Sequence, residues 1–178
     1  GCSSDDPSSN GVIVSTTAVP IAVGEAPVRV EWITAAIAAV EQSLGGPQRY
    51  FEINASPTVV NLFVALEDGT KAVSYVSIDG VLADPTEPIA ASGPTFAASA
   101  VAFDPTRVLA ATIAQLPTST VRLFSITGIE DGDSAQYGVV VESSQGSSFR
   151  VFVNGNGDIL GTDQRMEIPD SVPVVSGS

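Results

Sequence analysis

The feature that most constrains this 178-residue chain is an order of elements that occurs twice. An amphipathic stretch is followed by alternating, β-branched runs that acidic, glycine-containing turns separate. In Val30–Gly46 the apolar residues Ile33, Ala36, Ile37, Val40 and Leu44 fall at helical spacing, and Gly45-Gly46-Pro47 ends the pattern. Three strand-like runs follow, Arg49–Asn54, Val59–Leu66 and Lys71–Ile78, with turns at Glu67–Thr70 and Asp79-Gly80. Asp-Gly pairs suit hairpins because glycine tolerates the positive φ that tight hairpin turns require.

A connector rich in Pro, Ala and Ser, Asp84–Pro94, precedes an extended piece over Thr95–Phe103, and the order then returns. Asp104-Pro105 offers a helix start. Thr106–Leu116 places Val108, Leu109, Thr112, Ile113 and Leu116 on one helical face, and Pro117 stops it. Val121–Thr127, a turn at Glu130–Asp133, Gln136–Glu142 and Phe149–Val153 complete the second set.

Aligning the two sets pairs Ile37 with Ile113, Phe51 with Phe124 and Val76 with Val151, at separations of 76, 73 and 75 residues. The expectation is an α+β fold made by tandem duplication of a helix-plus-three-antiparallel-strand unit. Both helices would pack on one side of antiparallel sheet. The divisions are an N-terminal tether (1–10), a first unit with a lead-in strand (11–83), a connector (84–94), a second unit (95–165) and a tail (166–178).

The second unit in particular resembles the PepSY domain. The resemblance is carried by Phe149–Gly161 (FRVFVNGNGDILG), an alternating strand, a polar turn and a short apolar exit, with Ser77–Leu82 (SIDGVL) as its shorter counterpart. It implies an extracytoplasmic binding or inhibitory module. The start of the chain, Gly1-Cys2-Ser3-Ser4-Asp5-Asp6-Pro7, resembles a bacterial lipoprotein just after its signal peptide. That resemblance implies acylation of Cys2, with residues 3–10 as a polar tether and location outside the cytoplasm at the cell membrane. The other source of Gly1-Cys2 is an ordinary cysteine on a polar tail.

Charge and residue usage narrow the chemistry. Seven Lys and Arg against 20 Asp and Glu give a formal net charge of −13, which repels phosphate backbones and argues against nucleic acid. No run of 18 apolar residues is present, so contact with a membrane is expected only through Cys2. With no histidine and a single lysine, Lys71, the chain lacks the ingredients of a conventional nucleophile-base pair, and no catalytic residue is expected. A lone cysteine forms no internal disulfide.

Two groups of residues remain as candidates. Asn154, Asn156 and Asp158 offer closely spaced oxygens of the kind calcium favours, although Asn and Gly at this spacing equally make a tight turn, and no cofactor is expected. Trp32 and Tyr50, at the ends of the first helix, could anchor a partner or belong to the core. The expected function is a membrane-tethered, non-catalytic binding or inhibitory module whose partner is an envelope or secreted protein. The alternative is a carrier that holds a lipid or small apolar ligand between helices and sheet.

Overall fold

The computed structural model describes residues 27–163. A 3-10 turn, Val30–Trp32, leads into α1, Ile33–Leu44. The strands β1 (Arg49–Ala55), β2 (Val60–Leu66), β3 (Lys71–Ile78), β4 (Val81–Leu82), β5 (Ile89–Ala90) and β6 (Phe96–Ala97) follow. After a short helix, α2 (Ala110–Gln115), come β7 (Thr120–Gly128), β8 (Ala135–Glu142), β9 (Ser148–Val153) and β10 (Ile159–Asp163).

The ten strands form one sheet whose main path runs β10-β9-β8-β7-β1-β2-β3-β4, and every pairing in it is antiparallel. This overturns the expected tandem of helix-plus-three-strand units. The fold is dominated by its sheet, with one helical segment of 15 residues, Val30–Leu44. The join that sequence periodicity does not reveal is β1 against β7, where Ile53 faces Ile126 and Ala55 faces Phe124.

The expected second helix is the main local departure. The Asp104 carboxylate accepts the amide and hydroxyl of Thr106, and the Asp104 carbonyl accepts the amides of Arg107 and Val108. Beyond them the chain continues as turns, with the Ala110 amide on the Arg107 carbonyl, and α2 has only six residues before Pro117. Ile113, placed on the buried face by helical spacing, is 39% exposed, whereas Val108 and Thr112 are fully buried. Thr112 and Ile113 are also β-branched and weaken a helix this short.

By contrast α1 forms as its pattern requires. Ile33, Ala36, Ile37 and Val40 are buried, and each large side chain among them contributes roughly 1.5–3 kcal/mol relative to exposure. Gly45 adopts φ 87°, which lets the Gly46 amide close on the Glu41 carbonyl at 2.9 Å.

One face of the sheet carries the core. Across it run Tyr75, Leu62, Ile53, Ile126, Tyr137 and Val153, successive partners from β3 to β9. Helix α1 covers the β2–β4 half of this face. Phe96 of β6 packs on Tyr50 of β1, while over the β7–β9 half lies the irregular segment before α2, whose Val101, Phe103 and Val108 join the same core. There Phe103 lies 5.2 Å from Phe124 and 5.9 Å from Tyr137, ring centre to ring centre. The Tyr137 hydroxyl accepts the Ala102 amide at 2.7 Å, which ties this cover to β8.

The outer edge of β3 is also closed. Ala83 donates to the Val76 carbonyl, Thr86 to that of Ser74, and Ala91 to that of Thr70, while the Thr86 hydroxyl accepts the Ser74 amide. The residues of the Asp84–Pro94 connector thus lie along an edge strand, and Pro85 and Pro88, lacking amide donors, blunt its outside.

Candidate functional site

The second face of the sheet bears no helix among the described residues. Alternation along β3 puts Ala72, Ser74, Val76 and Ile78 on this face, because Val73, Tyr75 and Ser77 point into the core. Val81 is the direct partner of Ile78 in β4, and Ile89 the partner of Ala72 in β5, so both share that face. Ile78, Val81 and Ile89 are 54%, 72% and 66% exposed, far more than a core-facing aliphatic would be. Half-buried Phe63, opposite Ser74 on β2, continues the apolar surface inward.

The local cause is the two-residue turn Asp79-Gly80, with φ values of 52° and 83°, which folds Val81 back beside Ile78. A Cβ on Gly80 would stand 3.3 Å from the Ala35 Cβ, so the hairpin tip lies close against α1. Asp79, Asp84 and Glu87 accompany the strip and are exposed, and no ion pair among the described residues engages them. The sequence carries no Lys or Arg between Lys71 and Arg107.

Toward the middle of the sheet the same face turns polar. Glu52 and Asn54 on β1 meet Thr127 and Ser125 on β7, and Ser125 in turn meets Gly138 on β8. The Asn54 amide nitrogen donates to Glu52 at 2.6 Å, which leaves its Oδ1 buried and without a protein partner. Beyond it the Arg150 side chain lies over Gly138, where a Cβ would collide with its Cδ at 2.8 Å, and Arg150 Nε is likewise buried and unpartnered.

Of the residues singled out from sequence, Cys2 lies outside the described residues. Trp32 is half-buried, with the Arg29 guanidinium 4.9 Å above its ring. Tyr50 is fully buried, packs against Phe96, and donates its hydroxyl to Glu41 at 3.3 Å. Burial, then the negative charge of Glu41 and the bond to it, push the Tyr50 phenol well above its usual range. The two aromatics therefore make no common exposed anchor.

Asn154, Asn156 and Asp158 do come together, as the β9–β10 turn. The Asn154 Oδ1 accepts the amides of Asn156 and Asp158 at 2.9 and 3.0 Å, and its amide nitrogen donates to the Asp158 carboxylate at 2.9 Å. Its oxygen is thus engaged by the turn. Gly155 and Gly157 sit directly beneath the carbonyls of Ala102 and Arg107, so glycine serves close backbone approach here. A cleft of about 400 Å³ lies beside this turn, lined by Ala102–Asp104 and Asn154–Asn156.

Elsewhere Asp104 and Asp131 serve turns. Asp131 accepts the Ser134 hydroxyl and the amides of Asp133 and Ser134, and these bonds hold its carboxyl below the usual range. Among the described residues no three carboxylates or thiols stand together as a metal site, and no helix is long and apolar enough to cross a membrane. A second cleft, of about 510 Å³, contains Arg49, whose guanidinium donates to the Thr95 hydroxyl and to the carbonyls of Thr95 and Gly132.

The exposed strip was legible in one respect only. A two-residue turn between Ile78 and Val81 forces them to pair on one face, but which face the core would claim depends on β2 and α1. Comparison of the chain with protein-family models, with curated proteins and with solved structures finds no match in any of the three.

Proposed function

We propose that this chain is a non-catalytic binding module that works outside the cytoplasm, tethered to the membrane through acylated Cys2, and that it meets its partner with the open face of its sheet. The observation that carries the reading is the exposure of Ile78, Val81 and Ile89 on a face that no described helix covers. Exposed large aliphatic side chains along one strand favour association because burying them removes apolar area from water. The anchor rests on Cys2 and its polar surroundings, and the binding role on the resemblance of Phe149–Gly161 to PepSY endings. A carrier of lipid or a small apolar ligand has no comparable observation in its favour.

The test is a pull-down from bacterial envelope extract with the wild-type chain and with Val81→Asp/Ile89→Asp. A partner protein recovered by the wild type and lost with the variant is the expected result. Recovery of no partner that depends on these two residues would overturn the reading. Mass spectrometry of the native protein checks the anchor, with diacylglycerol expected on the Cys2 thiol.

A further inference from the structure

We infer that the partner presents a cationic amphipathic segment to the strip formed by Ile78, Val81 and Ile89; this rests on the binding reading above and specifies its partner. Two independent properties of the strip point to that chemistry. Its two ends, Ile78 with Val81 and Ile89, are aliphatic and more than half exposed, and half-buried Val76 and Phe63 lie between them. The turn and connector that carry Val81 and Ile89 also carry the exposed carboxylates Asp79, Asp84 and Glu87, with no positive charge in the sequence from Ala72 to Thr106.

The nearest cation, Lys71, alternates with Val73 and Tyr75 onto the other face and is already paired with Glu67 at 3.3 Å. A partner that is only apolar leaves three carboxylates without counter-charges, and one that is only cationic leaves the aliphatic ends wet. A segment with an apolar stripe and Lys or Arg beside it satisfies both. The net charge of −13 adds long-range attraction for such a segment and opposes docking of a second copy or of an anionic lipid surface.

The dimensions suit a short element. Ile78 and the Ala72 that pairs with Ile89 lie six residues apart on β3, or roughly 20 Å. That is the length of about 13 helical residues at 1.5 Å each.

The experiment titrates the full chain by calorimetry with three 14-residue peptides. One has Leu on one helical face and Lys on the other, the second has Gln for each Lys, and the third has Gly for each Leu. The Leu/Lys peptide is expected to bind at least tenfold more tightly than either of the others, and to lose at least tenfold between 50 and 300 mM salt. Val81→Ser/Ile89→Ser and Asp84→Asn/Glu87→Gln should each weaken it at least tenfold. Glu130→Gln/Asp133→Asn, in the β7–β8 turn, should change it less than twofold.

Equal binding of the Lys/Gly peptide would reduce the effect to bulk acidity and overturn the inference, as would equal binding of the Leu/Gln peptide. If no peptide binds while the Val81→Asp/Ile89→Asp variant still loses its envelope partner, this inference fails and the binding reading stands.

Discussion

Gly157 lies so close to Arg107 that a Cβ at Gly157 would collide with the Arg107 carbonyl oxygen and stand 3.0 Å from the Val108 Cα. Its φ of 87° already excludes most side chains. Gly157→Ala is expected to cost about 2–4 kcal/mol, from left-handed strain plus the displaced cover. Gly146 has nearly the same φ, 90°, with nothing within 4 Å of its Cβ position, so Gly146→Ala should cost only about 1–2 kcal/mol. Urea midpoints of the two variants measure the difference, and equal costs would refute the role given to the Arg107 contact.

Ser77 is fully buried between Val60 and Leu82, its register partners, and its hydroxyl has no partner among the protein atoms. A buried donor without a partner opposes folding. Ser77→Ala should therefore raise stability by about 1 kcal/mol, seen as a higher melting temperature. A lower one would show that the hydroxyl is satisfied after all.

The Tyr50 phenol holds its proton above the pH at which an unfolded tyrosine, near 10.0, releases it. The folded state thus binds that proton more tightly, so its contribution is intact below about pH 10 and declines as pH rises further. Tyr137 is shifted the same way, chiefly by burial. Urea denaturation above pH 10 should show stability falling with pH, and Tyr50→Phe should fall less steeply. Parallel slopes would contradict the assignment.

For Asp131 the sign reverses. Its carboxyl ionises below the ordinary 3.8, so its contribution is present above that value and is lost as pH falls through the folded value. Asp131→Ala should flatten the stability profile below pH 4 and speed amide exchange at Asp133 and Ser134, whose N–H groups it holds. Unchanged exchange at both amides would exclude that role.

The elements read from periodicity and those observed agree where local pattern decides. The alternation over Lys71–Ile78 coincides with β3, and the helical stripe matches the buried face of α1 through Val40, because each rests on near neighbours in the chain. Where distant partners decide, local pattern was silent. Nothing near Ile53 announces Ile126, and the two-residue strands β4 and β5 exist only because β3 offers them an edge. The same limit applied to the surface. Tyr50 and Trp32 stood out as large aromatics, yet Phe96 and Glu41 draw Tyr50 inside, while Ile78 and Val81 look like core residues until the core is seen to lie on the other face.

The pairing of β1 with β7 joins residues such as Ile53 and Ile126 that lie 73 positions apart. During synthesis β1 can meet β2 almost at once, but the other side of Glu52–Ala55 waits until Thr120–Gly128 has been made. Contacts closed over such spans slow folding, and a bare strand side is a template for any compatible chain. Two crowded nascent copies can therefore trade β7–β9, each completing the other's β1, so exchanged dimers are the characteristic misassembly of this topology.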